Sequence, residues 1–179
     1  MLPHCQYIFG NDVEAMVLAE CLGWLTDDPT EGGTDKIYRQ SEDRFVQIAA
    51  RLCRLPMDCT NECNPNALTT NSYRVVAFTN GTLACSNGFT KTIPIQYLPA
   101  DAIVDSNSAG DSFVGGFLAT LMTYLNCNHS SSSSSGLDAC VLEPAHLEHC
   151  YTVGLYACGV ILQHRGCDYP PVCEYSIDI

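Results

Sequence analysis

Residues 105–118 read DSNSAGDSFVGGFL, and they predict a tight turn between a strand and a helix. The apolar residues 102–104 come just before this stretch and are typical of the end of a buried strand. From Phe113 an apolar pattern continues to about Leu125, which predicts a helix. Small side chains at such a turn let a phosphate group approach the backbone. There the first free N–H groups of the helix, and the positive end of its dipole, point at the phosphate.

Asp111 lies at the mouth of this predicted turn. A carboxylate in that position is well placed to accept a proton from an attacking hydroxyl group, so the stretch is typical of a phosphoryl-transfer site. A local explanation also accounts for it, because Asp is favoured in the first turn of any helix, near the positive end of the dipole. The residues alone leave both interpretations open.

The composition indicates a globular protein. At 179 residues, with 46% hydrophobic and 16% charged residues, the chain is long enough to bury a core as one domain. The net charge of −12 argues against nucleic acid and anionic membranes as partners. No apolar run approaches about 18 residues, and residues 1–5 lack the basic start of a signal peptide. We therefore expect a cytoplasmic protein, with the nucleus as a second compartment.

The chain contains 12 cysteines, and we expect them to be reduced, because no secretion signal accompanies them. Cys59 and Cys63 lack the paired spacing of zinc ligands, so no metal site is expected there. Several others lie in apolar or periodic segments, where cysteine behaves as a small core residue. These are Cys21, Cys53, Cys85, Cys150 and Cys158.

The rest of the pattern predicts strands that alternate with helices. Predicted strands cover residues 6–10 and 74–78, with short antiparallel strands at 83–85 and 93–95, the last at a sheet edge because of Pro94. Predicted helices run from Asn11 to Leu22, from a capping Ser41 to about Leu55, and from Leu147 to Gln163. Their predicted inward residues are Val13, Val17, Leu18 and Cys21; Phe45, Ile48, Ala49 and Leu52; and Val153, Tyr156, Ala157, Val160 and Ile161. Residues 127–139, which include six consecutive serines, predict a flexible insertion.

Two polar segments follow predicted strands. Asn11 and Glu14 have the spacing of a capping box, in which each side chain accepts a hydrogen bond from the backbone N–H of the other residue. Residues 79–81 read TNG, which fits a plain turn after the strand that ends at Phe78.

Residues 105–118 closely resemble the second signature of the ribokinase-like (PfkB) family of sugar and nucleoside kinases. In the adenosine kinase branch of that family the pattern runs D-T-N-G-A-G-D-x-F-x-G-G-F-L. This chain departs from it only at Ser106, in place of Thr, and Ser108, in place of the first Gly. Residues 9–15 (FGNDVEA) are similar to the family's F-G-N-E-x-E-A segment, and residues 165–167 (RGC) resemble its R-x-G-C.

The resemblance implies a three-layer ribokinase-like α/β fold, with a partial parallel sheet flanked by helices. It implies an ATP-dependent adenosine kinase of purine salvage, in which the γ-phosphate of ATP is transferred to the 5′-hydroxyl of adenosine to give AMP. Two alternatives stay open. One is a sugar kinase of the same superfamily, and the other is a non-catalytic chain that binds nucleotide or regulates a partner.

The resemblance also implies roles for individual residues. Asp111 corresponds to the catalytic base of the family. The other implied site residues are Ser108, Ala109 and Gly110 as the anion hole, Thr79, Gly81 and Asn107 on the nucleotide side, and Asn11 and Glu14 of the N-x-x-E motif, which support Mg²⁺ largely through water. Where relatives place a polar residue near the adenine, this chain has Leu155, which leaves its nucleotide preference open.

The similarity runs from about Gln6 to Tyr169 and corresponds only to the C-terminal half of an adenosine kinase. Residues 1–179 are therefore expected to form the ATP-binding and catalytic part of the kinase domain. The Gly-Gly-Asn motif, the lid domain and the rest of the N-terminal half have no match here, so we expect an open sheet edge and little activity of this chain alone. The resemblance implies a monomeric full-length enzyme, while the uncovered surface allows the shorter chain to self-associate.

Overall fold

The computed structural model describes residues 2–31, 36–57, 74–95, 97–130 and 142–171, with the side chains of the fourth range described up to Asn126. The chain divides into two compact units, Met1–Pro94 and Ile95–Ile179. None of the described helices combines the length and the apolar character that a membrane span requires.

The first unit contains six strands and two helices among its described residues. In chain order they are β1 (Tyr7–Gly10), α1 (Asp12–Cys21), β2 (Leu25–Thr26), β3 (Ile37–Tyr38), α2 (Arg44–Arg54), β4 (Val75–Phe78), β5 (Thr82–Cys85) and β6 (Thr90–Thr92). The second unit contains α3 (Ala109–Ser130) and α4 (Pro144–Ile161). Short 3-10 turns precede β1, at Leu2–His4, and α3, at Ala100–Ala102.

A four-stranded mixed sheet organises the first unit, in the order β1-β4-β5-β6. β1 is parallel to β4, whereas β4, β5 and β6 are joined in antiparallel pairs. Every residue of β4 and β5 is buried, as expected for the centre of a sheet. β1 lies at one edge, so the described residues do leave one parallel edge open, as expected. A separate pair of short parallel strands, β2 and β3, completes the unit.

Helix α2 packs against β4 and β5. Its buried residues are Ile48, Ala49, Leu52 and Cys53, and Phe45 is partly buried against the same core, which confirms the predicted stripe. Each fully buried Leu or Ile contributes about 1.5–3 kcal/mol by leaving water. The helix begins at Arg44 and, contrary to the prediction, is not capped by the side chain of Ser41. Ser41 contacts the helix start through its main-chain carbonyl, which accepts hydrogen bonds from the backbone and the side chain of Arg44.

Helix α1 is confirmed, but of its four predicted inward residues only Leu18 packs against the core, where it is partly buried. Val13 and Val17 are 64% and 54% exposed and Cys21 is exposed, whereas Ala15 and Ala19 are buried. The small alanines face the core because α1 contacts α2 closely there, and larger side chains would keep the helices apart. Hydrophobicity alone could not identify that side.

Arg74, just before β4, has a fully buried side chain. Its guanidinium donates to the carbonyls of Leu52 and Leu55 at 2.7 and 3.0 Å, at the C-terminal end of α2. It also donates to the carbonyls of Leu2 and Cys5 at 2.7 and 2.9 Å. Four main-chain oxygens thus compensate the buried charge, two of them at the negative end of a helix dipole. The side chain thereby joins the start of the chain to α2.

Helices α3 and α4 run antiparallel and pack closely in the second unit. A Cβ atom at Gly154 would lie 2.8 Å from the carbonyl oxygen of Phe113, and one at Gly116 would lie 3.0 Å from that of Val153. The rings of Phe113 and Tyr151 meet edge to face, with centroids 5.0 Å apart. Glycine is required at this crossing because the two backbones nearly touch.

Helix α4 differs only modestly from its prediction, which began at Leu147 and ended at Gln163. Val153 and Ile161 are buried, while the other predicted inward residues, Tyr156, Ala157 and Val160, are half-buried. Helix α3 continues through Ser130, so the backbone of the first four residues of the predicted insertion 127–139 is helical. Residues 131–139 and the pair Cys59 and Cys63 lie outside the described residues.

Two predicted strands are wrong. Residues 102–104 do not join a sheet: Ile103 and Val104 are 42% and 54% exposed, and the N–H of Val104 donates to the carbonyl of Leu162 beyond α4. The second short strand lies at Thr90–Thr92 rather than at 93–95. It does form a sheet edge, and the N–H of Ile93 donates to the carbonyl of Gly81 in register with the β5–β6 pairs, one residue beyond the strand.

No disulfide bond joins the cysteines of the described residues. Cys53, Cys85 and Cys150 are buried and Cys158 is partly buried, as predicted, whereas Cys21 is exposed. Burial raises the pKa of Cys53 and that of Cys150 to about 12, because the thiolate would lose its hydration. These thiols are therefore neutral, unreactive core groups.

Candidate functional site

The carboxyl ends of β1 and β4 lie at the same edge of the sheet in the first unit. The two strands are parallel, with Gly10 opposite Phe78, and the N–H of Thr79 donates to the carbonyl of Gly10 at 2.9 Å. The start of α1 and the turn after β4 are therefore neighbours. In open α/β sheets, ligands bind at such an edge, beyond the carboxyl ends of the strands.

Asn11 and Glu14 form the predicted capping box at this edge. The N–H of Asn11 donates to Oε2 of Glu14 at 2.8 Å, and the N–H of Glu14 donates to Oδ1 of Asn11 at 2.9 Å. Both residues are exposed. Oε1 of Glu14 accepts no hydrogen bond from any described residue, so the carboxylate keeps one oxygen available to solvent or a ligand. The capping role therefore does not exclude a second one.

Residues 79–81 form a three-residue hairpin loop between β4 and β5. Phe78 pairs with Thr82 across the loop, and Gly81 has φ = +101°, which a side chain would strain. The N–H of Gly81 donates to the carbonyl of Phe78 at 3.2 Å. The turn interpretation is thus correct, and hairpin geometry by itself explains why position 81 is glycine. Thr79 is half-buried beside it.

The turn before α3 has the geometry expected of an anion-binding helix start. The N–H groups of residues 108–111 donate to no acceptor among the described residues, and the first helical hydrogen bond runs from Ser112 to the carbonyl of Ser108 at 2.9 Å. The hydroxyl of Ser112 donates to the same carbonyl at 2.7 Å. Free amides at the positive end of a 22-residue helix favour an anion.

Ser108 has φ = +62°, in the left-handed region. A residue with a Cβ atom pays roughly 1–2 kcal/mol for this conformation, which glycine adopts freely. The family pattern has glycine at this position, so the turn keeps the conformation that the pattern requires although the residue differs. Strain of this kind persists only where surrounding contacts determine the backbone.

Asp111 lies in the first turn of α3 and is exposed. Its carboxylate forms no hydrogen bond or ion pair with any described residue. It is neither packed inward nor neutralised by a neighbouring cation of the described chain. An accessible carboxylate beside free amides can accept a proton from a hydroxyl group that is brought to the helix start.

Asp105 connects two turns, and sequence reasoning did not single it out. Its carboxylate accepts from the N–H of Asn107 at 2.9 Å and from that of Gly166 at 3.0 Å. These two hydrogen bonds hold the pKa of Asp105 below its ordinary value, because they stabilise the charged form. The Asp-x-Asn spacing is typical of an Asx turn, and it could have indicated the contact with Asn107. The contact with Gly166 joins residues 61 apart, so no local sequence pattern indicates it.

The structure therefore places the predicted site residues in two groups. Asn11, Glu14, Thr79 and Gly81 share the sheet edge of the first unit. Asn107, Ser108, Ala109, Gly110 and Asp111 form the turn and first helical residues of the second unit. Within the described residues, no cluster of three or more His, Cys, Asp or Glu side chains could hold a metal ion by itself.

Comparisons with known proteins bear on the family and the fold of the chain. A family model described as "pfkB family carbohydrate kinase" matches residues 65–172. Adenosine kinase 1 of Arabidopsis thaliana is 31% identical over 98% of this chain and 38% of its own length. The adenosine kinase of Dictyostelium discoideum is 34% identical over 66% of this chain and 28% of its own length. The chain thus spans less than two fifths of the length of these relatives.

Two solved structures share the fold. Anopheles gambiae adenosine kinase, in complex with P1,P4-di(adenosine-5) tetraphosphate, matches 96% of this chain and 39% of its own, at 23% identity and a TM-score of 0.57. Schistosoma mansoni adenosine kinase, in complex with 2-fluoroadenosine, matches 94% of this chain and 38% of its own, at 17% identity and a TM-score of 0.57. The predicted α/β fold class is confirmed, with a sheet that is mixed rather than purely parallel.

Proposed function

This chain belongs to the pfkB family of carbohydrate kinases, and we propose that it carries the ATP-binding and catalytic part of an adenosine kinase-like phosphotransferase. In the proposed reaction the 5′-hydroxyl oxygen of adenosine forms a bond to the γ-phosphorus of ATP. The bond from that phosphorus to the β-γ bridging oxygen breaks, and AMP and ADP are released. The names of the relatives support adenosine as the substrate.

The observation that carries this proposal is the start of α3, where free main-chain N–H groups adjoin an exposed carboxylate. Asp111 accepts the proton that the hydroxyl group loses, a contribution of roughly 10²–10⁴ to the rate. The N–H groups of Ser108, Ala109 and Gly110 hold the negative charge that develops on the transferred phosphoryl group. Each well-aimed donor of this kind is worth about 10²–10³ in rate.

Magnesium fits the residues of the first unit as a weakly held ion. The capping box leaves one oxygen of Glu14 available, next to the amide of Asn11. Mg²⁺ keeps several waters and takes most of its other ligands from nucleotide phosphates, so a single protein carboxylate is sufficient. When bound, the ion neutralises phosphate charge. Asn11 and Glu14 would hold its water shell, and Thr79, Gly81 and Asn107 would border the nucleotide.

A single-turnover assay tests this function. The purified 179-residue chain, in excess over radiolabelled ATP with Mg²⁺ and adenosine, is examined for labelled AMP, and ATP binding is measured by calorimetry. We expect weak binding of ATP and slow AMP formation. Asp111→Asn should keep ATP binding and lose nearly all AMP formation, whereas Asp101→Asn, an exposed acidic control outside the turn, should change neither. Equal AMP formation by Asp111→Asn and the unaltered chain would remove Asp111 from the role of base.

A sugar kinase is the second candidate, because the matching family model describes carbohydrate kinases. Competition between adenosine and ribose for the labelled phosphate separates the two, since only the true acceptor yields a product. ATP binding with no transfer to either acceptor would instead favour a nucleotide-binding chain that acts through a partner. For the cell we propose the cytoplasm, and for the longer enzyme a monomer that does not bind nucleic acid, consistent with the net charge of −12.

A further inference from the structure

We propose that Asp105 is a positioning residue, which holds the first N–H groups of α3 in place by joining the turn before α3 to the turn after α4. The inference rests on the proposed function, because it assigns those N–H groups to the γ-phosphate of ATP. It concerns a residue that touches neither substrate in this proposal. Asp105 acts through Ser108 and the helix start, whereas Asp111 acts on the reacting atoms.

The two oxygens of Asp105 are divided between the two turns. Oδ1 accepts from the N–H of Asn107, immediately before the left-handed Ser108, and Oδ2 accepts from the N–H of Gly166. Both oxygens are therefore already used by protein donors. A carboxylate in this arrangement would also repel a phosphate, so it supports the turn and does not bind the ligand.

Neighbouring contacts join the same two turns. The N–H groups of Val104 and Asp105 converge on the carbonyl of Leu162, at 2.8 and 3.4 Å. On the other side, the hydroxyl of Ser108 and the thiol of Cys167 lie 2.9 Å apart. Gly166 has φ = +59°, so the chain reverses sharply between these contacts. The turn before α3 thus contacts the residues that follow α4 at three successive points, namely Leu162, Gly166 and Cys167.

Such fastening explains how Ser108 remains in a strained conformation. Left-handed backbone at a residue with a Cβ atom relaxes unless its neighbours determine it. The peptide N–H of Asn107 is the last anchored group before Ser108, and the N–H groups of the next three residues are those proposed to meet the phosphate. Loss of the Asp105 carboxylate would release this anchor and let those N–H groups move away from a common target.

The test compares Asp105→Asn with Asp101→Asn, which removes the same charge from the 3-10 turn nearby. Calorimetry measures the affinity of each full chain for ATP and for ADP, at a temperature where both are fully folded. Hydrogen exchange, followed by nuclear magnetic resonance, measures protection of the N–H groups of Asn107 and Gly166. A side chain with a merely structural role would affect ATP and ADP equally, because only ATP carries the γ-phosphate.

We expect Asp105→Asn to weaken ATP binding about tenfold, since one charge-assisted hydrogen bond is lost. ADP affinity should stay within about twofold, and the Gly166 N–H should exchange at least about tenfold faster. Asp101→Asn should change none of these. Equal losses for ATP and ADP, or unchanged ATP affinity, would overturn the inference while leaving the proposed function intact.

Failure of the proposed function is distinguishable from failure of the inference. If the unaltered chain binds no ATP, the proposed function fails, and hydrogen exchange alone decides whether Asp105 joins the two turns. Unchanged protection of the Asn107 and Gly166 N–H groups in Asp105→Asn would then refute the inference too. Should Asp105→Asn fail to fold, an acid titration of the unaltered chain replaces it. The N–H resonances of Asn107 and Gly166 should titrate together, with a midpoint below the ordinary Asp pKa of about 3.9. Independent titration of the two would exclude a shared carboxylate.

Discussion

The closest helix contact in the second unit gives a sharp prediction for Gly154→Ala. The new Cβ atom would meet the carbonyl oxygen of Phe113 at 2.8 Å and its ring carbons at 2.9 and 3.0 Å. A main-chain oxygen cannot rotate away, so α3 and α4 must separate. Overpacking of this kind costs about 1–3 kcal/mol, while alanine in a helix interior returns about 0.5–1 kcal/mol. We expect a net loss of roughly 0.5–2 kcal/mol in the free energy of unfolding.

Gly159→Ala is the matched control, because it makes the same change in the same helix where nothing lies within 4 Å of the new atom. It should stabilise the protein by about 0.5–1 kcal/mol. Urea unfolding followed by the helical circular dichroism signal gives both values. The displacement of Phe113 should also weaken ATP binding, since this residue lies two positions after Asp111. A Gly154→Ala protein at least as stable as the unaltered chain would refute the backbone-contact argument.

Three further predictions concern single side chains. Ser108→Gly should raise the free energy of unfolding, measured in urea melts, by up to about 1 kcal/mol, because it removes the strain of the left-handed backbone. The control Ser106→Gly should lower the free energy of unfolding. A change of the same sign in both variants would contradict this prediction. Arg74→Met should cost about 3–5 kcal/mol, because four main-chain carbonyls lose the guanidinium donor and those of Leu2 and Leu52 keep only a backbone N–H. Arg39→Met, whose ion pairs are on the surface, should cost at most about 1 kcal/mol, and similar losses for the two variants would disprove the prediction. The lowered pKa of Asp105 adds stability that is fully present above the unfolded pKa of about 3.9 and is lost as pH falls through the folded pKa. Below about pH 4 the free energy of unfolding should therefore fall less steeply with pH in Asp105→Asn than in the unaltered chain. Parallel curves for the two proteins would argue against this.

Much of the architecture follows from local patterns. The strand before Thr79 and the helix after Asn11 were predicted from hydrophobic runs, and the structure has both. The helix predicted from Phe113 to about Leu125 is also present, although it begins at Ala109 and continues to Ser130. The capping box of Asn11 and Glu14 was also predictable, because its two hydrogen bonds span only three residues. Such features need no knowledge of the rest of the fold.

Other features depend on contacts between distant segments and could not be predicted locally. The fully buried residues of α1 are Ala15 and Ala19, which are selected by the approach of α2 and not by hydrophobicity. Residues 102–104 look like a strand, but their hydrogen bonds go to Leu162 at the end of α4. The contact between Asp105 and Gly166 has the same character. Long-range pairing decided each of these cases, so periodicity within one segment could not reveal them.

The anchoring of Leu2 and Cys5 by Arg74 has a practical consequence for handling the protein. Proteolytic removal of the first five residues would take away two of the four oxygens that surround the guanidinium and open a path for water to a charge now sealed inside. Such trimming should therefore loosen the packing between β4 and α2, far along the chain from the cut. Residues 2–5 thus shield the guanidinium of Arg74 from water. A purification tag joined to Met1 therefore needs a spacer long enough to leave the contact between Leu2 and Arg74 intact.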